Sequence, residues 1–364
     1  MKGRRTGRPT LTFRSNEQNM SVGTRCAGTS CVSAVALLVL GLGRPASAAA
    51  QQAITATGTF HSVWVDPRNA PPPDALSFIT GEQGTIRLEL TAQQLAAGGG
   101  RAALERRRVT VTGVVQPAGA AAPGLAAAIA GVPILRVTAL RPEQALVSAT
   151  PQTGSRAYAT ILCRFPDLAS VPGDRARYQA IAGTGEPGLD HYWREVSENQ
   201  IDLSGSTVSD WYVLPHPYSH YTAGSNLDLG ALAQDCTAAA DADVNFNQVD
   251  GINLQFNAPF AASWGGAWTV SLDGPVRIVP MTWLANWAGQ SVYAHEMGHS
   301  FGLSHSSGQY GAVYDSPWDV MSYSYVRHVG GTYDYIGQHT ITYHKGLLGW
   351  IGTRSLSANG SVTR

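Results

Sequence analysis

"AHEMGHSFGLSH", Ala294 to His305, holds three of the chain's ten histidines. The surrounding "SVYAHEMGH" lacks proline and carries helix-compatible residues, so His295 and His299, at i and i+4, share one helix face, about 40° apart around its axis. Both imidazoles then reach one metal ion. Zn²⁺ prefers nitrogen donors in four-fold coordination, and a catalytic site uses three protein ligands and leaves the fourth position to water. A helix that simply continued would turn His305 away from the other two. Gly302 resolves this, because glycine tolerates the positive φ that ends a helix and lets the chain fold back. His305 is thus the expected third ligand. Glu296, next to the first, is placed to take a proton from that water and hand it to a leaving amine, as in zinc hydrolases with the H-E-x-x-H pattern. The expected cofactor is one catalytic Zn²⁺.

The rest of the chain supplies the setting. With 364 residues, 44% of them hydrophobic, and a formal charge of zero, it can bury a core and has room for two domains. Balanced charge gives no broad attraction to nucleic acid or to an anionic membrane, so neither is expected as a partner. Basic residues precede the apolar run "VSAVALLVLGLG", Val32 to Gly43, which leads into "RPASAAA". This reads as a secretory signal peptide over 1–48, the run being too short to span a bilayer. The mature protein is then extracellular or periplasmic. Cys26 and Cys31 leave with that peptide, and Cys163 and Cys236 remain. In an oxidising compartment these two most simply form one disulfide, the alternative being two buried thiols.

The mature chain divides by composition. Over 49–150, short β-like runs such as "GTIRLEL" and "RRVTVTGVV" alternate with loops rich in Pro, Gly and Ala. That predicts a small all-β unit, loosely similar to a five-stranded barrel of the OB type, serving as a propeptide or as an accessory binding module. The polar link "SATPQTGSR", Ser148 to Arg156, marks the boundary, and 155–364 reads as mixed α and β. "AYATILCRF", "GINLQF" and "PVRIVPM" read as strands, the last with an edge as one place for it; "LDHYWREVSEN" and "LDLGALAQDCTAAADA" read as helices. The alternation predicts an α/β (α+β) domain with a mostly parallel twisted sheet and helices packed on it.

Two weaker patterns resolve to turns. "GTGEPG", Gly183 to Gly188, matches a dinucleotide-binding spacing but follows a helix-like stretch and contains Pro187. "DADVNFN", Asp241 to Asn247, has Phe246 where a calcium loop needs glycine. His216 and His220 share the i, i+4 spacing, but Pro217 between them favours a loop. His328, His339 and His344 are isolated and read as packed or surface residues.

His295-Glu296-x-x-His299-x-x-Gly302-x-x-His305 matches the extended zinc motif of the metzincin metalloproteases, and "WDVMSY", Trp318 to Tyr323, resembles their Met-turn, with Met321 as its methionine. More specifically, "HYWREVSENQIDLSGSTVSDWYVLP", "DGINLQFN" and "YHKGLLGWI" resemble the gametolysin-like (M11) peptidases. The likeness covers roughly 157–351. It implies a two-part, metzincin-like catalytic domain with a substrate cleft across the zinc, Met321 packing beneath the metal, and activity as a zinc endopeptidase on proteins or peptides. Proteins are the implied substrate class; members of the algal branch act on cell-wall glycoproteins, which with matrix proteins are candidates, while nothing in the sequence identifies a matrix target, and a monomer is expected. In the astacin and serralysin branches a tyrosine two residues past the methionine reaches the zinc. The likeness therefore implies that Tyr323 serves as an extra ligand or as an oxyanion donor, against a packed aromatic as the plain alternative. The competing functions are a non-catalytic or wall-binding zinc protein and a zinc amidase acting on cell-wall material.

Overall fold

β1 (Ala53–Pro67) organises the molecule because it is long enough to serve three partners in turn. The computed structural model describes residues 53–82, 84–116, 132–143, 151–223, 226–306, 314–322 and 324–352; the expected signal peptide lies outside them. The first part of β1, Ala53 to Thr59, pairs antiparallel with β4 (Arg108–Gln116). Its middle, Thr59 to Val63, pairs with β2 (Leu76–Gly81), and its end, Val63 to Pro67, leaves for another partner. β3 (Gly84–Glu89) pairs with β2 and runs parallel to β5 (Ile134–Pro142), which returns to β4. The order β1-β2-β3-β5-β4-β1 closes a five-stranded barrel. Alternation along the strands sends Phe60, Ile79, Val109 and Val111 inward, while cross-strand threonine pairs, Thr55 with Thr112 and Thr57 with Thr110, bond through their hydroxyls outside the core. Two short helices, α1 (Ala92–Ala97) and α2 (Arg101–Leu104), follow β3; α1 starts on a capping box between Thr91 and Gln94.

The remaining strands extend the same sheet. They are β6 (Tyr158–Arg164), β7 (Thr207–Val213), β8 (Gly251–Phe256), β9 (Ala262–Val270) and β10 (Arg277–Leu284). From β1 the order runs β9-β10-β8-β6-β7. β9 is antiparallel to both β1 and β10, whereas β10, β8, β6 and β7 are mutually parallel. The physical reason is the connections. α3 (Arg175–Ala182) and α4 (Leu189–Val196) supply a crossover between β6 and β7, and α5 (Leu229–Ala240) supplies one between β7 and β8. β9 and β10 are joined by a short turn, which permits only antiparallel pairing.

The expected mostly parallel α/β metzincin sheet is therefore not what forms. The molecule is built on one mixed ten-stranded sheet, five strands of which close into a barrel, and β1 belongs to both parts. β10 is interior, not at an edge: Pro280 faces Ala267 of β9, and β8 begins its pairing only at Met281, so the missing N–H is not needed.

The two faces of β6 show how the layers pack. Ala159, Ile161 and Cys163 point toward α5 and share a core with Val63 and Val65 of β1. Tyr158 and Leu162 point the other way, into a core with α3, α4 and α6 (Gln290–Ser300). Cys163 and Cys236 are disulfide-bonded, Cα to Cα 6.0 Å, tying β6 to α5. Half of the polar link is pinned: Gln152 donates its N–H to Leu348, next to α7 (Thr342–Leu347), and accepts from the Trp350 indole. Among the described residues, no helix is long and apolar enough to cross a membrane.

Candidate metal centre

Every residue of α6 is buried, which explains why it has no polar face. Its end is a hydrogen-bonded reversal. Gly302 has φ +97°, its N–H donates to His299, and the Leu303 N–H donates to Gly298. That double bond around a left-handed residue is the Schellman pattern, available to glycine without Cβ strain. Beyond it the chain turns back, the Ser306 N–H donates to the Met321 carbonyl, and His305 arrives beside α6. Met321 is fully buried under the helix at Gly298, where a Cβ would overlap its sulfur.

The three imidazoles meet as Nε2 atoms: His299 lies 3.1 Å from His295 and 3.1 Å from His305. Nitrogens around a tetrahedral zinc at ~2.05 Å would stand about 3.3 Å apart. Their protonation is set from behind. His295 Nδ1 lies 2.6 Å from the Val320 carbonyl and His299 Nδ1 lies 2.8 Å from the Leu303 carbonyl. A carbonyl can only accept, so each Nδ1 carries a proton, which leaves Nε2 as the nitrogen facing the other imidazoles. Burial holds His299 neutral, its pKa depressed to about 3.

The fourth corner is filled from the barrel. Asp66, at the end of β1, places Oδ1 3.0 Å from His295 Nε2 and 2.6 Å from His305 Nε2, and Oδ2 3.3 Å from His299 Nε2. The period-two alternation of β1 decides this, since Trp64 and Asp66 face the histidines while Val63 and Val65 enter the core. The Trp64 ring stacks on His299 with centroids 5.0 Å apart and meets His305 edge-on at 4.8 Å. Burial opposes the charge on Asp66, but the surrounding His305, His295 and His299 outweigh it and hold the carboxyl well below its usual range. Burial likewise works against a charged His295, and the Asp66 carboxylate reverses that, raising it. Together Asp66, His295, His299 and His305 form a buried group able to bind a metal ion.

Glu296 lies on the rim. It is fully buried, its carboxyl faces that of Asp66, and it lines a cavity of about 90 Å³ with Trp287, Val292 and Tyr325. Burial, reinforced by the nearby Asp66 charge, pushes its carboxyl well above the ordinary range. The Tyr314 hydroxyl bonds Asp66 Oδ1 and stands 3.4 Å from His305 Nε2. Burial first, then the Asp66 charge, drive that phenol far upward, so it remains a donor. Tyr323, the tyrosine singled out from the sequence, lies outside the described residues.

The other histidines separate from the site. His344 is buried, 2.9 Å from Asp319, whose own Oδ1 accepts the Met321 N–H, so this pair braces the turn under the helix. His216 and His220 stack at 3.9 Å between centroids on an exposed turn, with no acidic or cysteine partner completing a ligand group among the described residues. His61, inside β1, bridges the Ala267 carbonyl and Thr80.

Asp66 and Tyr314 are the site residues that the sequence did not disclose. "VWVDPRN" reads as a strand running into a turn, where aspartate before proline is ordinary, and nothing local marks Tyr314. No family model matches the chain, and a search of curated proteins finds no match either.

Proposed function

We propose that the chain is a secreted zinc-dependent endopeptidase. The observation that carries this reading is the placement of Glu296: a fully buried carboxyl opening on a cavity beside three converged Nε2 atoms. A metal site that only held the fold would have no use for it, since a buried carboxyl is costly to keep. Zinc bound by the three histidines would supply a Lewis acid that polarises a carbonyl and makes water acidic. Glu296 takes the proton of the attacking water and delivers it to the departing amine. The cavity beside the site has an apolar wall, Trp287 and Val292, that could take a side chain next to the cleaved bond. The resemblance to metzincin and gametolysin-like peptidases in the zinc motif and the "WDVMSY" turn supports the same reading, with protein or wall-glycoprotein substrates. The Cys163–Cys236 bridge is consistent with an exported protein.

One observation favours a second reading. Asp66 completes a set of four protein ligands, the arrangement of structural zinc sites, and a non-catalytic zinc protein would keep it closed. The test is hydrolysis of casein, gelatin and cell-wall material by the zinc-loaded chain, before and after limited tryptic cleavage, with and without a chelator. Chelator-sensitive cleavage of protein supports the peptidase. Release confined to wall material favours an amidase, and metal retention without hydrolysis in any form favours the closed site.

A further inference from the structure

We propose that the cavity where barrel, link and sheet meet is a binding site for a tetrahedral oxyanion, a sulfate or phosphate ester, carried on a sugar-sized body. The cavity holds about 590 Å³ and shares no lining residue with the one beside the metal centre. Small-molecule sites are commonly of this size.

Three observations carry the proposal. First, positive charge is concentrated here in a chain whose formal net charge is zero. Arg106, Arg156 and Arg277 line the cavity against one acidic residue, Asp250. They arrive from three separate segments: the turn between α2 and β4, the end of the polar link, and the start of β10. Second, the protein gives these groups few acceptors among the described residues. A guanidinium carries five N–H donors. Arg106 donates Nη2 to the Ser300 carbonyl, and Arg277 donates Nη2 to the Phe246 carbonyl. Arg156 Nη1 stands 3.8 Å from Asp250 Oδ1, too far for a hydrogen bond, while Asp250 Oδ2 already accepts the Ala157 N–H. The Nε–H groups of Arg156 and Arg277 are buried and find no acceptor. A buried donor left this way is costly unless an outside group completes it. Third, Arg106 is held at φ +61°, a conformation that glycine accepts freely and that strains other residues. Its own N–H donates to the Phe60 carbonyl, which fixes that turn on β1. An arginine is kept where glycine would be easier, at the wall of the cavity.

Capping of carbonyls accounts for Arg106, at the C-terminal end of α6, and for Arg277, but not for Arg156, which caps none among the described residues. The convergence of all three also selects the ligand. Guanidinium forks match oxyanions in shape, which a lysine would not. A carboxylate has only two oxygens to offer, whereas a sulfate or phosphate ester turns three toward donors that come from three directions. A bare ion would leave most of the cavity unfilled. Its remaining wall mixes apolar Phe60, Ile278 and Phe301 with polar Thr59 and Gln152, a surface suited to the faces and hydroxyls of a sugar ring.

The test is isothermal titration of the full-length, zinc-loaded chain with glucose sulfate, glucose phosphate and glucuronate at constant ionic strength. Wild type is compared with Arg156→Gln, which removes a charge without disturbing a carbonyl cap, and with Asp250→Asn, whose side-chain oxygen still accepts the Ala157 N–H. The expected result is saturable one-to-one binding of at least one ester by the wild type. Arg156→Gln should weaken it by roughly tenfold or more, as for loss of a charged hydrogen bond. Asp250→Asn should bind more tightly than the wild type, because the one repelling carboxylate is gone; this gain reports on the site even where Arg156→Gln fails to fold. Whichever ester binds better identifies the source of the oxyanion, and equal binding supports the chemistry they share. No saturable binding of either ester would overturn the proposal, as would undiminished binding by folded Arg156→Gln or weaker binding by Asp250→Asn. Glucuronate bound as tightly as the esters would overturn the assignment of a three-oxygen group.

Discussion

Replacing Glu105 with glutamine should stabilise the full chain at pH 8 and leave it unchanged near pH 4.5. Glu105 follows α2 in the barrel, accepts the Ser62 N–H at 3.2 Å, and lies against Gly302 at the reversal of α6. Burial raises its carboxyl from 4.5 to about 7, against the pull of Ser62, Arg106 and Arg101. An unfolded chain ionises near 4.5, while the folded chain keeps the proton to about 7, so the folded state binds more protons across that interval. Stability contributed by this group is therefore complete below pH 4.5 and is lost as pH rises toward 7. At ~1.4 kcal/mol per pH unit the interval amounts to about 3 kcal/mol, an upper figure because part of the side chain reaches the surface. His61 runs the opposite way. Burial, opposed by its bond to Ala267, lowers it from 6.5 to about 4, so its contribution is complete above 6.5 and lost as pH falls. The two slopes oppose each other in the wild type, and E105Q removes the glutamate's part. Urea unfolding of zinc-saturated wild type and E105Q at half-unit steps from pH 4.5 to 8 measures the difference, which removes what both proteins share. Equal stability at pH 8 would refute the buried, protonated Glu105.

Glu296→Gln should keep zinc, because no ligand changes, and lower turnover by about 100-fold or more, as for loss of a general base; undiminished hydrolysis in that variant rejects the assigned proton transfer. His305→Ala should reduce zinc content itself, measured by metal analysis of the purified chain, and full occupancy would remove His305 from the ligand set. Replacing Cys163 and Cys236 by serine opens a loop spanning 73 positions and should cost about 2–4 kcal/mol in denaturant unfolding. Thiol labelling of the denatured, unreduced wild type should find none of these two reactive.

What could be read from the sequence was what lies close together in it. His295, Glu296, His299, Gly302 and His305 fall within a few helical turns, so spacing alone carries their geometry. Asp66 reaches the same centre across 229 residues, and no local pattern encodes a contact of that span. Strand direction was lost for a similar reason. β9 carries Gly265 and Gly266 at its middle, a pair that reads as a turn. Yet Gly265 sits where α6 crosses the sheet, and a Cβ there would run into the Glu296 carbonyl. The glycine that hides the strand is what lets the helix approach it. With β9 unseen, the remaining strands alternated with helices and implied a parallel sheet, and the antiparallel bridge from barrel to sheet went unread.

The placement of β1 beside β9 has a consequence for any form of the protein from which β1 were removed. Without residues 53–67, β9 becomes an unprotected edge, with the backbone donors and acceptors that faced Val63 to Pro67 left open and Val63 and Val65 withdrawn from the core they filled. Unpaired edges of this kind are templates for any extended chain that comes within reach, including a second copy. A form cut free of that strand would exchange an intramolecular strand for a sticky edge, and its solubility would depend on how quickly another segment took the vacated register.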